Sequence, residues 1–368
     1  MRTAGCAQVV ANVTPNGWGD AITTVPMHRI ANASDCGRLP VDAQPSATSA
    51  RLFIKPHEVT LPLGDVLASL AAYDATKRAV CSSAGSACGD SAGAAADAEA
   101  EAGEVEMYPP PLAGGPAPYV SFQNDNLRSQ APQLLKDIGN VPFAPWKLAE
   151  AEAVNLWVGD ERNTSSCHKD HYENLYAVIQ GEKVFSLFPP HDILWLYEQP
   201  CVSARYVYDD PAGDGAYRLP GARASWSVRV ECDAGTGEPV RQPWIAAPAD
   251  RADVRRFPLQ RHASPVVAHV RAGEVLYLPS LWYHQVAQRG LTIAVNAWHD
   301  MSYCGARWAH FQQMCMLATL TTRQLTFSAV EEDEGSDAEA GDVCAARTGL
   351  QRVRVWVRRD GKERAQQE

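Results

Sequence analysis

From Tyr119 to Trp298 the chain is cut into short apolar or alternating runs, each ended within a few residues by Gly, Pro, Asn or Asp. A run that short cannot close its own backbone hydrogen bonds as a long helix does, so it must pair with neighbours. Many such runs with turns between them predict a mainly β fold, a β-sandwich or small barrel. The runs are Tyr119–Phe122, Ala153–Gly159, Leu175–Phe188, Val266–Val270, Val275–Leu278 and Leu291–Trp298. Within Leu175–Phe188, Gln180-Gly181-Glu182 reads as the turn of a hairpin that Pro189-Pro190 terminates. Residues 205–262 are loop-rich, with Asp209-Asp210-Pro211 and Gly235-Thr236-Gly237 as breakers.

The flanks are organised differently. A strand over Val9–Val13 runs straight into Thr14-Pro15-Asn16-Gly17, so the chain reads as starting inside a domain. Helical spacing is expected over 59–73 (Leu61, Leu63, Val66, Leu67, Leu70) and again from Tyr303 to Leu325 (Trp308, Phe311, Met314, Cys315, Leu317). Residues 78–118, rich in Ala, Gly, Ser and acids, read as a low-complexity disordered insertion in a single domain spanning 8–325. Residues 326–368 read as a mostly disordered polar tail, acidic from Glu331.

Composition narrows the function classes. At 368 residues the chain can bury a sizeable core. No stretch reaches the roughly 18 consecutive apolar residues of a membrane helix, and Val9-Val10-Ala11 is too short for a signal-peptide core. We therefore expect no membrane partner and an intracellular location, cytoplasmic or also nuclear. With 33 basic against 43 acidic residues the formal charge is −10, which argues against a nucleic-acid partner. Ten cysteines without a CxxC pair suggest free thiols, not a zinc knuckle. No HExxH helix, GxSxG elbow, GxxxxGK[ST] loop or GxGxxG fingerprint is present.

The chemistry-bearing segment is Ser165-Ser166-Cys167-His168-Lys169-Asp170. Side chains alternate along an extended chain, so His168 and Asp170, two apart, point to one side. An imidazole and a carboxylate on one side supply two of the three protein ligands of a triad for ferrous iron. His284, after Trp282-Tyr283, is the candidate third; three protein ligands leave room for a bidentate oxo-acid and dioxygen. His171-Tyr172-Glu173 has the same spacing and would face the other way, and spacing alone does not choose between the pairs. His299 beside Asp300 and His191 beside Asp192 read as surface or capping residues.

The wider segments carry a resemblance. His168-Lys169-Asp170-His171-Tyr172-Glu173-Asn174-Leu175-Tyr176, Gly181-Glu182-Lys183 and Phe188-Pro189-Pro190 resemble the core of jumonji-C oxygenases. So do Arg271–Pro279, Leu281–Val286 and Ala294–Trp298. Within that family the chain is most similar to the small jumonji-C-only lysyl hydroxylases that act on developmentally regulated GTP-binding proteins, with Val13–Gly17, Tyr119-Val120, Asn126-Leu127 and Pro243-Trp244-Ile245 in support.

The resemblance implies a double-stranded β-helix, a jelly-roll or cupin-like core with flanking helices and a C-terminal helix. It implies Fe(II) held by His168, Asp170 and His284, which turns His171 away into packing. The cosubstrate would be 2-oxoglutarate, its far carboxylate held by Lys183 and Ser165 with Tyr119 as phenol donor, and with Asn174 and Asn296 as nearby amides. Trp282 and Trp298 would be walls. The implied reaction consumes O2, releases succinate and CO2, and hydroxylates a lysine of a protein or peptide substrate, in that subgroup a GTP-binding protein. A homodimer is also implied. The same chemistry would serve an N-methyl demethylase, and the same scaffold a non-enzymatic cupin-like binding module.

Overall fold

A computed structural model of the chain describes residues 7–31, 39–84 except 41, 42, 45 and 47, then 112, 115–138, 150–209, 225–250 and 252–333. Strands β1 (Gln8–Thr14), β2 (Trp18–Gly19), β3 (Ala21–Pro26), β4 (Ile30–Ala31), β5 (Ser49–Lys55) and β6 (His57–Pro62) precede helix α1 (Leu63–Ala84). Then come β7 (Ala117–Tyr119) and the short helices α2 (Asn126–Gln130) and α3 (Leu135–Ile138). The central strands are β8 (Ala153–Gly159), β9 (Thr164–Lys169), β10 (Tyr172–Phe188), β11 (Glu198–Asp209), β12 (Ser225–Val230) and β13 (Arg241–Ile245). They are followed by β14 (Val266–Arg271), β15 (Val275–Leu278), β16 (Tyr283–Asp300) and helix α4 (Ala306–Asp333). All strands belong to one compact unit, Met1–Arg323; of the second, Gln324–Glu368, only the helical backbone to Asp333 is described.

Seven strands make the larger sheet, in the order β14-β10-β16-β9-β2, with β15 beside β10 and β8 beside β16. A six-stranded sheet runs β3-β5-β11-β12-β4 with β13 beside β11, and β6-β1-β7 form a third. This is the mainly β, jelly-roll architecture expected. The axis of the larger sheet is the antiparallel pair β10 and β16, in register from Tyr172 opposite Asp300 to Phe188 opposite Tyr283. One apolar cluster, including Trp157, Tyr176, Phe185, Leu187, Val286 and Ala294, fills its inner face. Each such fully buried side chain contributes roughly 1.5–3 kcal/mol. Helix α4 lays Trp308, Phe311, Cys315 and Ala318, spaced at helical repeats, against Phe188, Leu281, Tyr283 and Met301.

Several expectations change. Leu175–Phe188 is not a hairpin: both arms of β10 pair with the same strand, Val178 opposite Ala294 and Lys183 opposite Gln288, across register shifts at Gln180. Gly181, at φ +75°, makes a bulge there, and a Cβ on it would lie 2.5 Å from Thr292 Oγ1. The helix expected over 59–73 begins at Leu63, because residues 57–62 pair with β1 as a strand. Residues 78–84 extend that helix and 117–119 form β7, so the insertion is structured at both ends; 85–111 lie outside the described residues. The loop-rich reading of 205–262 missed β12 and β13. Helix α4 runs on to Asp333, into the expected tail, whose remainder lies outside the described residues. Cys167, Cys304 and Cys315 carry free thiols, whereas Cys232 is disulfide-bonded.

Candidate active site

The register of β9 against β16 sets His284 directly opposite His168, and their ring centroids are 4.4 Å apart. Asp170 follows the end of β9, where its carbonyl accepts the Leu281 amide at 2.9 Å and so ties the two ligand-bearing segments together. His168 Nε2 lies 4.0 Å from Asp170 Oδ1, and His284 Nε2 lies 3.6 Å from Asp170 Oδ2. One donor atom from each of the three residues falls within 4.8 Å of the others.

The tautomers of both histidines follow from their other nitrogens. His168 Nδ1 is 2.7 Å from the Ser166 carbonyl and His284 Nδ1 is 3.1 Å from the Trp282 carbonyl. A carbonyl only accepts, so each Nδ1 carries the hydrogen and each Nε2 turns a lone pair toward Asp170. Burial, reinforced by the neighbouring His168, pushes the His284 pKa down to about 4 against the pull of Asp170 and the Trp282 carbonyl. His284 is then a neutral ligand at pH 7. Two imidazole lone pairs and one carboxylate, with no fourth protein donor in the cluster among the described residues, are the set that suits iron(II) with open positions.

Beside the triad lies a pocket whose lining includes Tyr119, Ser165, Asn174, Asn296 and Trp298 with His168, Asp170 and His284. The Tyr119 hydroxyl is bonded to Ser165 and accepts from Lys183 Nζ at 3.0 Å. Lys183 stands behind Tyr119, fully buried, with its ammonium 5.1, 5.8 and 6.0 Å from the ring centroids of Tyr119, Trp157 and Tyr176. Burial holds its pKa well below the usual lysine value. Asn296 accepts from Trp157 Nε1 at 2.8 Å and donates to Asn174 Oδ1 at 3.1 Å, which leaves the Asn174 amide hydrogens available to a ligand. Hydroxyls and amides facing a concave wall, with the Lys183 amine behind one of the hydroxyls, are donors suited to a dicarboxylate.

Sequence reasoning placed these residues but not their supports. Trp244 of β13 stacks on His168, 5.8 Å between centroids at 10°, and donates through Nε1 to Ser166 Oγ at 3.0 Å. Glu173 accepts from Tyr277 Oη at 2.7 Å, the Ser280 amide at 3.1 Å, Ser280 Oγ at 2.9 Å and Arg307 Nη1 at 3.0 Å. Burial works to raise its pKa, but the Tyr277 and Ser280 hydrogen bonds and the Arg307 charge outweigh it and hold Glu173 ionised. The alternative pair therefore comes apart: Glu173 is consumed by this clamp, and His171 packs against Tyr303 and Trp308.

Among the remaining expectations, His299 is buried at 3% exposure, not at the surface, and Asp192 is buried while His191 beside it is exposed. Trp298 lines the pocket and stacks on Tyr172; Trp282 packs against the inner core and is not part of the lining. Gln123, Trp157, Tyr176, Phe185 and Val286 complete the lining; the apolar or aromatic character of strand runs signalled Trp157, Tyr176 and Phe185, and nothing in the sequence signalled Gln123.

Comparison with known proteins agrees with this geometry. The family described as cupin-like domain matches residues 1–305. The human bifunctional peptidase and (3S)-lysyl hydroxylase JMJD7 is 38% identical over 196 residues, 53% of this chain and 56% of that protein. The Arabidopsis thaliana lysine-specific demethylase JMJ32 is 37% identical over 238 residues, 60% of this chain and 64% of that protein. The Dictyostelium discoideum JmjC domain-containing protein E is 34% identical over 213 residues, 53% of this chain and 56% of that protein. The chain thus spans under two thirds of the length of these relatives. On the match across residues 1–305, the chain belongs to the cupin-like family and is a member of its jumonji-C type.

Proposed function

We propose that the protein is an Fe(II)- and 2-oxoglutarate-dependent protein hydroxylase that acts on a lysine side chain, in a GTP-binding protein. The observation that carries this reading is the pair of histidines whose Nε2 lone pairs converge on Asp170 beside the Tyr119 and Ser165 hydroxyls. His168, Asp170 and His284 would hold the metal, and Tyr119, Ser165 and Lys183 the far carboxylate of 2-oxoglutarate. With dioxygen, that pair supplies the oxidising power: 2-oxoglutarate loses CO2 and becomes succinate with one oxygen atom, and the other enters a substrate C–H bond as a hydroxyl.

The residues of the chain do the rest. The Ser166 and Trp282 carbonyls hold both rings by Nδ1 and aim each Nε2 at the metal position. Lys183 exchanges its bond to Tyr119 for the dicarboxylate and takes its proton there, because the anion repays the cost that burial imposes on the ammonium. Trp157, Tyr176 and Phe185 keep the inner wall apolar and exclude water. The exposed Met316, Leu317 and Leu320 of α4 are in keeping with a homodimer. A cytoplasmic location, extending to the nucleus, is part of the same proposal.

The similarity to a plant protein named as a lysine-specific demethylase supports a second reading, oxidation of an N-methyl carbon. One assay separates the two. With iron(II), 2-oxoglutarate and a lysine peptide, the hydroxylase releases succinate in step with peptide turnover and no formaldehyde, and Asp170→Ala releases neither. Formaldehyde from a methylated peptide, with the unmethylated one left untouched, would replace the hydroxylase by the demethylase.

A further inference from the structure

Gly159 closes β8, directly opposite Thr292 of β16. A glycine weakens a strand, and the φ of Gly159 is not positive, so the backbone itself does not require one here. The space around it does. A Cβ on Gly159 would lie 2.6 Å from Asn163 Oδ1, 2.7 Å from Tyr119 Cδ2 and 2.8 Å from Gln288 Nε2. Carbon atoms pack best at about 3.5–4.0 Å, so room for a methyl group can come only from moving a neighbour.

Two of the three neighbours are tied in place. Asn163 Oδ1 accepts the Asp160 amide at 3.1 Å, and Gln288 Nε2 donates to the Asp160 and Asn163 carbonyls at 3.2 and 3.4 Å. The third borders open space, since Tyr119 lines the pocket and Gly159 does not. The backbone beside Tyr119 is pinned: the Val120 amide donates to the Val158 carbonyl at 2.9 Å, and the Val158 amide to the Val120 carbonyl at 3.1 Å. The ring is therefore the part that yields. It carries the hydroxyl that is bonded to Ser165 and accepts from Lys183 at 3.0 Å.

We propose that Gly159 is a positioning residue of the cosubstrate site. Its missing side chain leaves the slot in which the Tyr119 ring seats, and so fixes where the Tyr119 hydroxyl meets the far carboxylate of 2-oxoglutarate. The inference rests on the 2-oxoglutarate reading of the pocket and adds to it a residue outside the lining that acts through Tyr119.

The test is calorimetric binding to the full chain loaded with manganese(II), so nothing turns over. Two probes are compared: 2-oxoglutarate, and oxalate, which chelates the metal but has no far carboxylate. Gly159→Ala weakens 2-oxoglutarate roughly tenfold, the worth of one charge-assisted hydrogen bond, and leaves oxalate within about twofold. In a Tyr119→Phe background, which has already lost the hydroxyl, Gly159→Ala costs less than about twofold more, as expected for two residues acting on one contact. Pairing Gly159→Ala with Gln288→Ala relieves one of the three contacts, gives a second variant should the first not fold, and shows the same selective loss. Unchanged 2-oxoglutarate affinity in Gly159→Ala overturns the proposal, and so does an equal loss for oxalate or an undiminished loss in the Tyr119→Phe background. A wild type that binds oxalate but not 2-oxoglutarate removes the cosubstrate reading itself, and the proposal with it.

Discussion

Lys183 is buried to 0% exposure with three aromatic rings and one phenol around its ammonium. Burial depresses its folded-state pKa, so between that value and the ordinary value of about 10.4 the unfolded chain binds the extra proton. Stability without a ligand therefore rises with pH through that window. Lys183→Met keeps the length and removes the charge. We expect it to be at least as stable as the wild type at pH 7, to lose part of its advantage by pH 9, and to need roughly 10-fold more 2-oxoglutarate or worse. Urea unfolding at the two pH values and a 2-oxoglutarate titration check this, and a variant that is less stable yet binds normally would refute it. The proposed role of Lys183 comes only from the resemblance of Gly181-Glu182-Lys183 to a family pattern; as a residue in a turn it looks exposed, whereas it is buried. Spacing alone offered His168 with Asp170 and His171 with Glu173 equally, and only the family resemblance chose the first pair. What takes Glu173 away is its clamp by Tyr277, Ser280 and Arg307, between 104 and 134 residues further along the chain.

The strands Ala153–Gly159 and Val275–Leu278 were read at their observed bounds, because a short, mostly apolar run with breakers close by marks a strand directly. The bulged β10 was not, since a glycine between two apolar runs has the same local signature whether the chain reverses or only kinks. Gly181→Ala places a Cβ 2.5 Å from Thr292 Oγ1 and 2.6 Å from the Leu291 carbonyl at a positive φ. It should cost roughly 1–3 kcal/mol in urea unfolding, and a change below about 0.5 kcal/mol would mean that the two arms form a hairpin after all. The resemblance singled out Pro243-Trp244-Ile245, but the stacking of Trp244 on His168 stayed hidden because β13 sits in a stretch dense with turn residues. The Glu173 clamp is likewise a long-range feature. It holds Ser280 beside Leu281, whose amide bonds the Asp170 carbonyl, so it fixes the spacing of the triad. Glu173→Gln keeps the shape but weakens four charge-assisted contacts. We expect metal affinity to fall roughly 10-fold, the usual effect of a support behind the ligands. Calorimetric metal titration against thermal unfolding separates the roles: lowered stability with unchanged metal affinity would make Glu173 a packing residue only.

At the level of the whole molecule, a seven-stranded sheet supplies both ligand-bearing strands side by side, and the pocket opens next to them. The fold class was legible because short strands and turn residues recur over most of the chain. The pairing order was not, since β2 joins β9 and β4 joins β12 across long stretches of sequence. The central claim is that this pocket joins oxidation of 2-oxoglutarate to hydroxylation of lysine through His168, Asp170 and His284. The most direct measurement is the intact mass of a lysine peptide from a GTP-binding protein after incubation in air with the protein, iron(II) and 2-oxoglutarate, beside the Asp170→Ala variant. The account predicts a gain of one oxygen atom on the lysine residue, absent with the variant. The same gain with Asp170→Ala, or loss of methyl groups from a methylated peptide with no oxygen gained by the unmethylated one, would contradict it.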